Sequence, residues 1–133
     1  MSSPPCEYTP PTSREELVRR YTDGERHFPD TDLSDLDLSS VKLDGASFER
    51  FSWFFNATFE GASLIGTSFR KCNVKCASFR GANLTGASFE LAAIESIDLE
   101  GANTEGAKFL GATFYGYTVD NENEPPPSWP RDA

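Results

Sequence analysis

The side chains best able to do chemistry in this sequence are few and poorly spaced for it. His27 is the single histidine. With no second imidazole and no patterned carboxylate cluster, it reads as a surface or capping residue. Cys72 and Cys76, within C-N-V-K-C, invite a metal or redox role, but the spacing does not suit a zinc knuckle and a partner pair is missing. Arg70, Lys71, Lys75 and Arg80 form a basic cluster in a chain of net charge −9, and such a cluster is what a nucleic acid or a phosphate would need. Asp and Glu are numerous but scattered, with no arrangement suggesting an acid–base pair. These observations lead us to expect no enzyme, no catalytic or metal-binding residue, no cofactor and no small-molecule substrate.

Length and composition narrow the field further. The 133 residues suffice for one domain. No stretch approaches the roughly eighteen apolar residues that cross a bilayer, so no membrane association is expected. The first residues lack the charged and apolar regions of a secretory signal. Three cysteines, Cys6 included, do not make a disulfide framework, which suits a reducing, cytoplasmic setting.

What positions these side chains is a period of five. Apolar residues recur at Phe28, Leu33, Leu38, Leu43, Phe48 and Trp53. After one extra residue they resume at Phe59, Leu64, Phe69, Val74, Phe79, Leu84, Phe89, Ile94 and Leu99, then Thr104, Phe109, Phe114 and Val119. On a helix each step of five advances about 140°, so these residues would circle every face. On a strand a step of five changes sides each time. The chain must turn a corner at every repeat, which makes it a solenoid.

Around each centre the pattern is regular. Two residues before it stands Ala in ten of nineteen repeats, and two after it stands Gly in nine. The centre and the small residue point inward, the flanking polar residues face water, and glycine takes the corner, where a positive φ is cheap. Cys72 falls in the small inward slot and Cys76 in a corner slot, so a buried free thiol acting as a small hydrophobe is the plainer account of the pair. The extra residue is expected near Asn56. On that register Trp53 points inward and the large Phe51 occupies a slot that is small elsewhere.

The segments GASFE (45–49), GANLTGASFE (81–90) and GAKFLGATFY (106–115) closely resemble the pentapeptide-repeat family, whose consensus is A-(D/N)-L-x-x. The resemblance covers residues 26–120. It implies a right-handed quadrilateral β-helix with four pentads per coil. The sequence independently supports four: Phe28, Phe48, Phe69, Phe89 and Phe109 recur at spacings of 20, 21, 20 and 20. The expected fold is therefore an all-β solenoid of between four and five coils, roughly 20–25 Å long at the ~4.8 Å strand spacing. Thr104 is its weakest inward position.

A solenoid exposes its core at both ends unless something covers them. Ser13 and Glu16 form a capping box that opens a short helix, and Leu17, Val18 and Tyr21 give it one apolar stripe. This places a capping helix at 13–24 after a disordered segment at 1–12. The repeats then run over 26–120, followed by a Pro-rich tail at 121–133. Trp129 could fold back over the last coil, or that end could be a dimer interface.

Stacking the coils puts Arg70 between Glu49 and Glu90, and Arg80 between Glu60 and Glu100. The basic cluster is then a solvated charge ladder and not a nucleic-acid site. Apolar residues in outward slots are more suggestive. Phe54 and Phe55 follow the inward Trp53, Ile65 and Tyr115 break the polar pattern, and so do Leu91 and Leu110. A bulge at the register slip could turn Phe54 or Phe55 inward. If both face outward, Phe54, Phe55, Ile65 and Tyr115 are the candidate contact surface.

The expected function is a non-enzymatic scaffold that binds another protein or its own copy. The alternative, implied by the family's quinolone-resistance members, is a DNA-mimicking inhibitor of an enzyme such as gyrase. Against it, the rod is shorter than the about 34–36 Å of one B-DNA turn, and cations interrupt its acidic columns.

Overall fold

The computed structural model describes residues 9–49, 51–115 and 117–120. The first element, α1, spans Arg14–Thr22. Ser13 caps it: its Oγ accepts the Glu16 N–H at 3.1 Å. The Glu16 carboxylate in turn accepts the N–H of Thr12, at 3.0 Å, and not that of Ser13 as a strict capping box would have it. Glu15 and Glu16 in the first turn and Arg19 and Arg20 in the last complement the helix dipole. Leu17 is fully buried and Tyr21 half-buried against the core, one turn apart on the same face. Val18, expected on that stripe, is turned outward, because one residue advances about 100° around a helix.

Beyond α1 each pentad contributes a single extended residue, the one before the apolar centre. It is bridged in parallel to its equivalent 20 or 21 residues on: His27 to Ser47 to Ser68 to Ser88 to Lys108 on one side, and Asp32 to Trp53 to Asn73 to Ala93 to Thr113 on the next. Two further columns, through Thr58 and Ser63, complete four sides. The centre's N–H donates to the next coil, as from Phe48 to the Ser68 carbonyl at 2.9 Å. The extended residue's N–H donates to the previous coil, as from Ser68 to Ala46 at 2.9 Å. Corners close by a second bond, as from the Ala62 N–H to the Phe59 carbonyl at 3.0 Å. The third turn residue, Gly61, has φ +69°, as a type II turn requires. Lys71, Cys76 and Leu91 hold the same slot with φ between 61° and 65°, so the two-way ladder imposes on them a conformation that glycine adopts freely.

Inside, Phe28, Phe48, Phe69, Phe89 and Phe109 stack in one column with ring centroids 5.2–5.6 Å apart. Phe54, Phe59 and Phe79 fill the space beside them, and Phe54 stands edge-on to both Phe48 and Phe69. The small slots that carry a polar atom bond it locally. Ser52 Oγ, Thr67 Oγ1 and Cys72 Sγ donate to the carbonyls of Phe28, Leu43 and Phe48, each 24 residues earlier.

The register slip lies elsewhere than expected. The inward centre after Phe48 is Phe54, fully buried, and Trp53 is about half exposed on the outside. The extra residue therefore falls between Phe48 and Ser52, ahead of Trp53 and not near Asn56. Side-chain size explains the choice. This register puts Ser52 in the crowded small slot, where it is fully buried, and leaves Phe51 in the open corner at φ +66°. With Trp53 inward, the Phe51 ring would have to occupy the small slot. A corner also absorbs an extra residue without breaking the bridges on either side.

The course changes again at the far end. β1 (Thr113–Phe114) and β2 (Tyr117–Thr118) form an antiparallel hairpin. Val119 exchanges bonds with Ala112 and Gly111 and does not continue the parallel ladder over Leu99. Val119 is buried nonetheless, while Leu99, Ala102, Thr104 and Ala107 of the last full coil are half-buried. The segments expected to be disordered (1–12) or Pro-rich (121–133, with Trp129) lie largely or wholly outside the described residues.

This register makes a test. Phe54→Ala should lower unfolding stability by about 3–5 kcal/mol, as for a buried Phe, whereas Trp53→Ala should cost about 1 kcal/mol or less. Urea unfolding followed by circular dichroism measures both, and a larger loss for the Trp53 variant would refute the register.

Candidate functional site

The corner slip that buries Phe54 pushes three aromatic rings outward on one side of the second coil. Phe51 occupies the corner before that side and is 65% exposed. Trp53 stands in the middle of it at 49%, and Phe55 at the following corner at 42%. Trp53 is bridged on one edge to Asp32 and on the other to Asn73, so the neighbouring rows are known. One coil back lie Asp30, Asp32 and Asp35, all exposed. One coil on lie Arg70, Lys71 and Lys75, and beyond these Glu90, Leu91 and Glu95. The side therefore alternates in chemistry from coil to coil, acidic, then aromatic, then basic, then acidic with one leucine.

Several of these charges are already engaged. Lys75 pairs with Glu95 at 3.2 Å, and Arg70 lies 3.9 Å from Glu49. The Tyr115 N–H, and after it the Lys75 ammonium, hold the Glu95 carboxyl below its ordinary range. Lys71 makes no ion pair among the described residues. Arg80 belongs to another corner, where it bridges Asp98 at 3.2 Å and Glu100 at 3.3 Å. These two partners raise its pKa. The charge ladder thus exists, with Asp98 added to the expected Glu100 and no ion pair to Glu60 or Glu90 at the distances found.

Of the expected contact residues, Phe54 is withdrawn into the core. Phe55 remains outside. Tyr115, 67% exposed, stands at the same corner three coils further on, where its hydroxyl bonds to Ser96. Ile65 is 41% exposed but lies at a corner on the opposite part of the coil, flanked by Asp44, whose carboxylate accepts the Ile65 N–H. It does not join the aromatic row. Leu91 and Leu110 line a shallow depression with Arg70 and Glu90, and Leu91 leans over Gly111. Phe51 and Trp53 were not foreseen as surface residues. The signal that could have found them was present: a phenylalanine in a small slot is costlier than a register moved by one.

The chemical candidates stay apart. His27 is exposed in the first coil. Cys72 and Cys76 are both free, Cys72 buried in its inward slot and Cys76 exposed at a corner. Burial pushes the Cys72 thiol up to about 12. No group of His, Cys, Asp or Glu suited to a metal ion occurs among the described residues, nor does a helix long and apolar enough to cross a membrane. Alkylation at mildly alkaline pH should therefore label Cys76 and spare Cys72 until the protein is denatured, because only the thiolate reacts. Peptide mass mapping reads this, and native labelling of Cys72 would contradict its placement.

A protein-family model described as pentapeptide repeats matches residues 54–90 in eight copies. Among solved structures, a pentapeptide repeat protein from Nostoc, alr5209, is 24% identical, over 89% of this chain and 93% of that one, with a TM-score of 0.41. HetL, a pentapeptide repeat protein involved in heterocyst differentiation regulation in Nostoc, is 26% identical over 71% of this chain and 50% of its own, with a TM-score of 0.34. QnrB1, a plasmid-mediated fluoroquinolone resistance protein, is 20% identical over 65% and 59%, with a TM-score of 0.37. No curated protein matches the chain.

Proposed function

The chain belongs to the pentapeptide-repeat family, and we propose that it acts without catalysis, as a rigid scaffold that binds protein through one side of its rod. In this reading the rod is a right-handed β-helix of between four and five coils, closed at its N-terminal end by α1. Support for the closure comes from the bonds α1 makes. In a first coil, two kinds of carbonyl lack the donors that a preceding coil would bring: those of the extended residues and those just after each centre. Arg14 Nη1 donates to the Asp37 carbonyl at 3.0 Å and the Tyr21 hydroxyl to the Asp44 carbonyl at 2.8 Å, one of each kind. With Leu17 buried over the coil, α1 supplies both the bonds and the apolar cover that a terminal repeat needs.

The observation that carries the binding function is the exposed row Phe51, Trp53 and Phe55. Aromatic residues are enriched where protein interfaces concentrate their energy, and a contiguous exposed patch of them is unusual on a surface that meets only water. An elongated face of repeated coils also suits extended contact with a partner.

Inhibition of a DNA-handling enzyme by mimicry of duplex DNA is the weaker reading. Arg70, Lys75 and Arg80 pair with Glu49, Glu95, Asp98 and Glu100, so the outer columns alternate in sign and do not imitate a run of phosphates. We expect excess protein to leave gyrase supercoiling unchanged, and clear inhibition in a gel assay would reverse the ranking. The scaffold reading has its own test. Binding to any protein partner should fall at least about tenfold in the triple variant Phe51→Ser/Trp53→Ser/Phe55→Ser. Circular dichroism establishes that the variant is folded, and partner binding unaffected in a folded variant would discard this side as the site.

A further inference from the structure

We propose that the side bearing Phe51, Trp53 and Phe55 is self-complementary and docks a second copy of this chain about a two-fold axis through Trp53. The proposal rests on the scaffold function above and names its partner. The order of the rows carries the argument. Asp30 and Asp35 mark the two corners of the coil before the aromatic row, and Lys71 and Lys75 mark the same two corners of the coil after it. Each row is about 4.8 Å from the next.

A half-turn about an axis normal to this side at Trp53 exchanges the two corners and exchanges the row before with the row after. It sets Trp53 against its counterpart, Phe51 against Phe55, Asp30 against Lys75, and Asp35 against Arg70 with Lys71 beside it at the same corner. Every charged contact is of opposite sign and, as in any isologous interface, every off-axis contact occurs twice. Moving the axis half a coil toward the basic row would instead place Asp30 and Asp35 against the row of Glu90 and Glu95. The charge pattern therefore selects one register as well as one partner.

Other occupants fit this side less well. A strand of nucleic acid would find cations and stacking rings in two rows, but carboxylates in the rows on either side of them. An acidic peptide meets the same carboxylates. The partner that suits the side must carry aromatic residues flanked by the two charge signs in reverse order, and the side itself is such a surface. Lys71, which has no ion pair among the described residues, gains one in the complex. Repulsion between two chains of net charge −9 is screened beyond about 8 Å at physiological ionic strength, whereas contacting pairs are screened less. Three rows cover a few hundred Å² per copy, below the roughly 1,200 Å² total of a standard stable interface. The association is accordingly weak and concentration-dependent.

Sedimentation velocity of the full chain, from low micromolar to near-millimolar protein, tests this. The expected result is a monomer–dimer equilibrium. Lys71→Glu/Lys75→Glu and Asp30→Lys/Asp35→Lys should each weaken it by at least about tenfold, while an equimolar mixture of the two variants should regain it, because every swapped pair then meets an opposite charge. Lysine at the corner slot is tolerated, since Lys71 already holds it at φ +65°, and circular dichroism confirms that each variant is folded. A wild-type monomer at every concentration overturns the proposal. So does a dimer indifferent to both charge reversals, or a mixture of folded variants that stays monomeric. If the wild type is monomeric but a different protein binds it and is lost from the Phe51→Ser/Trp53→Ser/Phe55→Ser variant, self-docking fails while the scaffold function stands.

Discussion

Each centre of the repeat donates its backbone N–H to the coil ahead while the residue before it donates to the coil behind, and this two-way ladder sets the terms for the rest of the molecule. It can form only if the chain turns a corner every five residues, which demands a positive φ two residues after the centre. It also brings backbones together at the corners, so the slot beside each corner favours a small residue, with Leu36, Val41 and Ile97 as its larger occupants. Alanine fills most of those slots. Where Ser52, Thr67 or Cys72 stands there, its polar atom reaches a carbonyl of the coil behind, so no buried side-chain polar atom among the described residues lacks a partner. The same ladder is strong enough to hold Lys71, Cys76 and Leu91 in a backbone conformation that side chains ordinarily avoid.

The ladder must also begin and end. At the first coil α1 brings a guanidinium and a phenol to carbonyls that have no coil behind them. At the other end the backbone turns back on itself, and an antiparallel hairpin at Thr113–Thr118 replaces the parallel course. If α1 is the cap proposed above, the two ends of the ladder are treated differently, one by side-chain donors and the other by a change of strand direction.

One residue too many between Phe48 and Ser52 has consequences out of proportion to its size. Because side chains alternate in and out, moving the slip from after Trp53 to before it reverses the facing of every residue between. Phe54 joins the aromatic core, wedged edge-on between Phe48 and Phe69, and Phe51, Trp53 and Phe55 reach the surface together. The row that looks most functional is thus a by-product of how the interior was best packed. Its meaning comes from its neighbours: acids on one coil and bases on the next give this side a direction and a sign pattern.

Much of this was legible in the order of residues. The period of five excludes helix and strand on geometry alone, and the recurrence of phenylalanine at 20 and 21 residues gives four sides to a coil. Ser13 and Glu16 announce the start of α1, and Cys72 and Cys76 are assigned to their slots by position. These features are local or periodic, so each is repeated or self-contained and can be read without knowing its surroundings. Three others were not settled that way. Which of Trp53 and Phe54 enters the core depends on whether Phe51 or Ser52 must fit a crowded slot. Val18 is excluded from the helix's buried face by the orientation in which Leu17 and Tyr21 dock. The hairpin at Thr113–Thr118 competes with one more turn of the repeat. Each is a contest between two arrangements that the local pattern allows almost equally, and only packing in three dimensions, through the volume of a ring and the partner available to a backbone group, decides between them.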